Sequence, residues 1–526
     1  MSKNIVMIQP KSGSYDKIVV DPPLGLIYAS TLTKQSGYDI KLIDTRFDAN
    51  WKATLSKAID NDTLLIGLSV MSNRPIHYAL EISKFVKQKF DVPVLWGGPH
   101  PTLAPNNVLE NSNIDYLCRG DGEQPLYNLV KTLDEHGRVK DAPVDKIEGI
   151  SYTKNGKIFN NPVSKLKKVP NWRSLPFDLL TSYSYHRFNS KENIFPVLTS
   201  FGCPYRCSFC YLSASEMHQK WLAYSPEETV ELFKFVIDKF NPNHISIIDN
   251  DFFVNLKRAK GIFELIVKEE LNLQFGLRGT RVDELDRMDE DLLKLMGKAG
   301  VKHLHIGAES GSQRILDSYN KGTKIEQIIR VNRKLSKHPK LLPSFNFFGG
   351  TPTETIEDLK QSAKLMYTLI SENSYCQISS FNQYVPYPGG ILSKTAEEYG
   401  FVPPKSLEEW AKVDDTEIAK IAEKELPWLN RELKDFLFAM NFISIFIDRK
   451  IPDHFTLMNP KHIFYRLVWK LLNPLAKFRL RNLLFKLPVE YFAYRSYHHF
   501  LELLNNYQGI LMRRSSGKKI TYSLKK

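Results

Sequence analysis

The chain has 526 residues, enough for about two to four domains, and its 42% hydrophobic and 25% charged content is that of a globular protein, not of a fibrous or disordered one. Cys118 and Cys376 stand alone among only five cysteines, and no run reaches the ~18 apolar residues of a membrane span, so neither a disulfide framework nor a spanning helix is expected and a reducing cytoplasm is favoured. The net charge of +14 is uneven: residues 451–526 hold 14 Lys/Arg against 3 Asp/Glu, so the rest is nearly neutral and any basic partner surface belongs at the C-terminus.

Residues 1–137 alternate short apolar strands with amphipathic segments. Residues 5–8, 40–43, 63–70, 93–96 and 114–117 read as strands, and 24–35 and 76–90 as helices. The start, Met1-Ser-Lys-Asn-Ile, reads as the approach to a first strand, not as a signal peptide. This alternation predicts an α/β, doubly wound, Rossmann-like parallel sheet, whose ligands sit beyond the carboxyl ends of the strands. The turn residues fall there: Pro23, Leu24 and Gly25 before the first helix, Ser69 closing one strand, Gly97, Gly98 and His100 after the next, and Gly120 and Glu123 after the last. Glycines in such turns let backbone approach a ligand closely, although each could be only a tight turn.

Residues 138–194 read as a connector with a hairpin turning at Asn155-Gly156. Residues 195–200 form a strand that leads into Phe201-Gly-Cys-Pro-Tyr-Arg-Cys-Ser-Phe-Cys-Tyr211, which places Cys203, Cys207 and Cys210 in a C-x3-C-x2-C pattern. Thiolates select iron–sulfur clusters, zinc or copper. A structural zinc site needs a fourth ligand at motif spacing, and His218 fits that poorly, so a cluster is the better reading. Three thiolates on a four-iron cluster leave one iron open for chemistry.

Residues 195–400 again alternate strands and helices. Residues 244–249 read as a strand whose end carries Asp249 and Asp251. Asp249 and Asp251 could bind a ligand or simply cap the next helix, and His303 and His305 read as a packing pair more than as metal ligands.

Three cysteines at this spacing with Phe209 before the third resemble the motif of radical S-adenosylmethionine enzymes, and the segments named above resemble the strands of that family's partial (β/α)6 TIM-like barrel. The N-terminal pattern, with Gly97-Gly98-Pro99-His100 and Gly120-Asp-Gly-Glu123, resembles the cobalamin-binding domain that precedes the barrel in many members. The resemblance implies a 4Fe–4S cluster on Cys203, Cys207 and Cys210, with S-adenosylmethionine near Phe209, Asp249, Asp251, Arg281, Glu309, Ser310, Gly349, Gly350 and Tyr384. It also implies cobalamin near Pro23, Leu24, Gly25, Ser69, Gly97, Gly98, His100, Gly120 and Glu123. The Asp-x-His-x-x-Gly signature whose histidine ligates cobalt is absent, so no lower axial ligand is named. The implied activity is methylation of an unactivated carbon through a 5′-deoxyadenosyl radical and methylcobalamin, with a flavodoxin- or ferredoxin-type electron donor; cyclisation or rearrangement, or a barrel with an empty N-terminal domain, are the alternatives. A transfer-RNA methylthiotransferase would need three further N-terminal cysteines, and only Cys118 precedes the motif. A non-catalytic sensor would have no need for an open iron.

Residues 401–526 are helical and basic in expectation. Residues 435–447 read as an apolar helix too short to span a bilayer, and 462–472 and 475–487 as two segments with Lys/Arg interleaved among apolar residues. That profile suits an interfacial helix, hence a lipid-like substrate and peripheral contact with the inner membrane face, or a cap whose basic face is solvated. No nucleic-acid motif is found. Residues 513–519 read as a disordered tail.

Overall fold

The structure is a computed structural model that describes residues 3–13, 16, 19–137, 143–183, 185–187, 193–214, 220–379, 381–412, 426–447 and 460–485. His218 and the tail reading at 513–519 fall outside the described residues.

Two seven-stranded sheets organise the chain. The first is built from β1 (Asn4–Gln9), α1 (Leu24–Gln35), β2 (Asp39–Asp44), β3 (Thr63–Ser69), α2 (Arg74–Lys89), β4 (Val94–Gly97), β5 (Tyr116–Cys118) and α3 (Glu123–His136). Its order, β2-β1-β3-β4-β5, is parallel throughout and doubly wound. The strands are apolar on both faces because helices cover both: β1 reads Ile5-Val-Met-Ile8 with every side chain buried. The hairpin β6 (Ile150–Lys154) and β7 (Lys157–Asn160), turning at Asn155-Gly156 with both φ positive, pairs antiparallel with β5. It therefore extends the first sheet instead of merely connecting two domains.

The second sheet runs β8 (Ile194–Val197), β9 (His244–Ile247), β10 (Gln274–Arg281), β11 (Val301–Glu309), β12 (Leu342–Gly349) and β13 (Gln377–Ile378), neighbours in sequence and all parallel. The short β14 (Asn382–Gln383) also pairs with β12. Helices cross between consecutive strands, among them α4 (Pro226–Phe240) after β8, α5 (Leu256–Lys268) after β9 and α6 (Ile356–Glu372) after β12. Six consecutive βα units make the partial barrel. Helix α4 starts at a full capping box, Ser225 with Glu228, and α6 at another, Thr355 with Asp358.

The two units share packing. Leu24 and Ile27 of α1 are part of the barrel's apolar core, and Tyr28 meets Phe201 edge-on at 5.5 Å between ring centroids. Leu407 and Trp410, beyond the barrel in sequence, return to the core of the first sheet. Helix α7 (Arg431–Ile447) packs on the barrel as its apolar composition predicts, with Ser444 accepting from the Phe381 N–H at 2.7 Å. The two segments expected at 462–472 and 475–487 are one helix, α8 (Pro460–Asn482), which runs through Pro474. Proline removes one intrahelical bond, and burial of Ala476 and Leu480 against the core offsets the loss. No described helix is long and apolar enough to cross a membrane.

Candidate active site

The cysteine loop hangs from the carboxyl end of β8, and buried charges fix its entry. The Asp249 carboxylate accepts from the Thr199 N–H, the Thr199 hydroxyl and the Ser200 hydroxyl, each at 2.6 Å. Arg258 of α5 donates to the Thr199 carbonyl at 2.9 Å and the Tyr224 carbonyl at 2.7 Å. Burial pushes the Asp249 carboxyl up, opposed by these donors and by Arg258. Asp249 thus anchors the loop from within the protein.

Beyond this anchor lies a cavity of about 470 Å³ lined by the three thiols together with Phe209, Asp251, Arg281, Glu309 and Lys321. Further down the strands it is lined by Arg278, His305 and Asn346. All three thiols are free. Among the described residues no set of three ligands is disposed to hold a single metal ion. Thiols spaced around a cavity fit a polynuclear cluster, where each binds a different iron. Burial pushes Cys203 up to about 12 and raises Cys210 as well; ligation to a cation reverses that preference.

Cationic groups surround the loop. Arg281 Nη1 lies 3.6 Å from Cys207 Sγ, Nε donates to Asp283 at 2.9 Å, and the guanidinium stacks over Tyr205 at 3.7 Å. Lys321 Nζ pairs with Glu309 at 2.9 Å, both nearly buried. Glu309 has φ +66°, a left-handed conformation worth about 1–2 kcal/mol of strain, at a point where the β11–β12 register slips. The slip re-aims the Glu309 carboxylate into the cavity. Gly307 leaves room beneath it: a Cβ there would come within 2.2 Å of Glu309 Oε1 and 2.8 Å of Lys321 Nζ and would push these two side-chain ends aside. Asp251 faces Glu284, which also accepts from the Tyr205 hydroxyl at 3.2 Å. Burial, then the Glu284 charge, raises the Asp251 carboxyl, so this pair holds a proton near neutral pH.

The expected residues divide. The cysteines, Phe209, Asp251, Arg281 and Glu309 line one cavity; Asp249, Ser310, Gly349, Gly350 and Tyr384 do not. Ser310 is buried against Ser362 of α6. A Cβ on Gly349 would meet Leu359 at 2.7 Å and Phe381 at 2.8 Å, and one on Gly350 would meet Leu437 of α7 at 2.8 Å. These glycines admit protein neighbours to the strand end. Tyr384 packs with Tyr319 and Leu392 behind Phe209. His303 stacks on His244 as a packing residue, whereas His305 reaches the cavity. Sequence reasoning missed Lys321, Glu284, Arg258, Gly279 and Gly307; only Gly307, two residues before Glu309 on the same strand face, carried a readable signal.

On the first sheet, Ser69, Gly97 and Cys118 are register partners, so the carboxyl ends of β3, β4 and β5 form one level rim. Gly25 is exposed, with open space where a Cβ would stand, and Ser69, Gly97 and Glu123 are half-buried on this side. Such a rim fits a large ligand approached by backbone and small side chains. Pro23 and Leu24 are buried at the start of α1. Gly98 and Gly120, with φ +104° and +83°, press on Val70 and Ser164 backbone. His100 is fully buried, its Nδ1 3.0 Å from the Ser72 hydroxyl and its ring 5.4 Å from Trp410; burial lowers it to about 4.

Comparison with known proteins agrees with this geometry. The Radical SAM superfamily model matches residues 197–366 and the B12 binding domain model residues 20–130. An uncharacterized methyltransferase, PH0819, of Pyrococcus horikoshii is 30% identical over 397 residues, 74% of this chain and 82% of that protein. The anaerobic magnesium-protoporphyrin IX monomethyl ester cyclase of Rubrivivax gelatinosus is 28% identical over 405 residues, 73% of this chain and 69% of its own. Among solved structures, the cobalamin-dependent S-adenosylmethionine radical enzyme OxsB aligns with a TM-score of 0.67 at 18% identity, over 96% of this chain and 75% of that one. TsrM from Kitasatospora setae aligns with 0.60 at 19% identity, over 76% and 75%. The chain belongs to the radical S-adenosylmethionine enzymes that carry a cobalamin-binding domain, whose cofactors are a 4Fe–4S cluster, S-adenosylmethionine and cobalamin.

Proposed function

We propose that this enzyme is a methyltransferase acting on an unactivated carbon of a small or lipid-like molecule. The observation that carries the proposal is the cavity shared by three free thiols, Arg281, Glu309 and Asp251, in a chain that also carries a glycine-bearing Rossmann rim. When bound, the cluster and S-adenosylmethionine supply a 5′-deoxyadenosyl radical, and cobalamin supplies a carrier for the methyl group.

In this reading Cys203, Cys207 and Cys210 hold the cluster. Arg281, with Nη1 3.6 Å from Cys207 Sγ, donates towards that sulfur and fixes the loop through Asp283 and Tyr205. Glu309, held by Lys321, presents a carboxylate for the amino or hydroxyl groups of S-adenosylmethionine. Phe209, packed edge-on against Tyr319 and Phe348, gives an apolar wall that excludes water. Arg278, His305 and Asn346 are polar groups available to a substrate. Gly25, Ser69 and Gly97 would leave room for the corrin, and the cluster on Cys203, Cys207 and Cys210 would draw its electron from a flavodoxin- or ferredoxin-type donor. A ring-forming or rearrangement reaction is the second reading, supported by the cyclase relative of Rubrivivax gelatinosus. Peripheral contact between the basic C-terminal helix and a membrane belongs to the lipid-like version of the reading.

The test is anaerobic reconstitution with iron, sulfide and cobalamin. The expected result is a brown protein that carries a corrin absorption band and cleaves S-adenosylmethionine to 5′-deoxyadenosine. A fully cluster-loaded protein that performs no cleavage overturns the radical chemistry, and one that takes up no cobalamin overturns the methyl-transfer route.

A further inference from the structure

We infer that the groove between α6 and α8 binds the headgroup of an anionic phospholipid and so seats the enzyme on an anionic membrane face. The inference deepens the lipid-like reading above and rests on it for its biological sense.

Helix α8 has two unlike sides. Asn473, Ala476 and Leu480 are buried, with the Asn473 amide donating to the Phe446 carbonyl at 2.6 Å. The other side leaves Leu467 (55% exposed), Leu471 (76%), Leu475 (43%) and Phe478 (56%) in the open. Their spacing of four, four and three residues puts them on one line along the helix. A single exposed leucine needs no explanation, but a continuous apolar stripe marks a contact surface.

The charges beside the stripe select its partner. From residue 460 to 485 there are six Lys/Arg and no Asp/Glu, and of the six Arg479 is buried, donating to the Leu484 carbonyl at 2.8 Å. Next to Phe478 is a groove of about 280 Å³ lined by Tyr367, Ile370 and Ser371 of α6 and by Lys477, Phe478 and Arg481 of α8. Two cationic side chains over an apolar floor suit a phosphodiester with the first carbons of its acyl chains. Glu372, adjacent to Ser371, is paired with Arg333 at 2.7 and 2.8 Å. The remaining chain is a poor occupant: residues 486–526 carry eight Lys/Arg against two Asp/Glu, the same sign as α8. That charge adds to attraction by an anionic leaflet. A surface-lying helix with a basic, apolar face is the interfacial mode of membrane contact.

The experiment uses the full-length reconstituted enzyme and co-sedimentation with phosphatidylcholine vesicles, with and without phosphatidylglycerol. Pelleting with the phosphatidylglycerol vesicles alone, reversed by salt, is expected. The Lys477→Gln/Arg481→Gln protein should partition about 30-fold more weakly, the equivalent of about 2 kcal/mol for two charges. Leu471→Ser/Phe478→Ser should weaken binding with an unchanged melting temperature. Absence of pelleting, or equal pelleting with neutral vesicles, overturns the proposal. So does wild-type partition by the Lys477→Gln/Arg481→Gln protein, which would assign the contact to residues 486–526. Cleavage of S-adenosylmethionine is measured on the same samples. Cleavage without vesicle binding overturns the membrane site alone, and vesicle binding without cleavage supports that site while overturning the radical chemistry.

Discussion

Replacing Gly279 with alanine tests how the cavity wall is made. Gly279 lies in β10 with φ +63°, and a Cβ there would stand 2.4 Å from the Asp249 carbonyl oxygen and 2.5 Å from that of Asn250. Both neighbours are backbone atoms. They are held in place by the Asp249 ties to Thr199 and Ser200 and by the Phe252 N–H donating to the Gly279 carbonyl at 3.1 Å. No rotamer change relieves the clash. The left-handed conformation costs an L residue about 1–2 kcal/mol, and forcing the strand exit aside adds about 1–3 kcal/mol of overpacking. With about 2–4 °C lost per kcal/mol in a domain of this size, melting should fall by roughly 4–20 °C. Displacing Asp251 should also reduce S-adenosylmethionine cleavage by about tenfold or more, the scale of a small misplacement in a catalytic site. The assay is anaerobic thermal denaturation followed by circular dichroism, with Gly297→Ala as control. Gly297 is helical with its nearest Cβ contact 3.7 Å away at Lys340, so alanine there should stabilise by about 0.5–1 kcal/mol. A Gly279→Ala protein that melts at or above the parent temperature, while Gly297→Ala behaves as expected, refutes the reasoning.

Lys321→Met should lower the urea-unfolding free energy by about 3–5 kcal/mol by leaving the buried Glu309 carboxylate unpaired; adding Glu309→Gln should restore most of it. The raised Asp251 carboxyl means that the folded state binds the extra proton, so its contribution is full below about pH 4 and is lost as pH rises towards about 9. Asp251→Asn should therefore gain stability relative to the parent at pH 8 more than at pH 5, checked by denaturant midpoints at the two values; a pH-independent difference rejects the shared proton. Alanine at Cys203, Cys207 or Cys210 should abolish the brown chromophore after reconstitution and reduce 5′-deoxyadenosine formation to background, measured by absorption and chromatography.

Much of the fold was legible because its signals are local. Apolar runs bounded by glycine and proline located the strands of the first sheet within about two residues, and helix α1 agrees at both ends, whereas the strand expected at 195–200 already ends at Val197. The hairpin at Asn155-Gly156 was visible as a turn, but its place at the edge of the first sheet was not. Pairing to β5 depends on hydrogen bonds between residues some 35 positions apart, which no local pattern encodes. Pro474 misled the reading of the C-terminus, since a proline penalty is readable in sequence and the packing that offsets it is not.

The site divided along the same line. The spacing of Cys203, Cys207 and Cys210 on a strand-following loop, with Phe209 beside the last, named the chemistry because one loop supplies all three thiols. The other groups come from different strand ends, and only the barrel decides which of them turn inwards. Asp249 and Asp251 are two residues apart and look equivalent in sequence; one ties the loop entry from inside the protein and the other faces the cavity with Glu284. Gly349 and Gly350 look like ligand glycines and are filled by Phe381 and Leu437. Lys321, remote from every motif, is placed against Glu309 by the short helix Gln313–Ser318 that lies between them in the chain. Sequence determined the cluster loop, the two sheets and the basic C-terminus, because each is written in neighbouring residues. Tertiary structure alone decided which charges share a cavity, because that depends on register, on a bulge at Glu309 and on where a Cβ has no room.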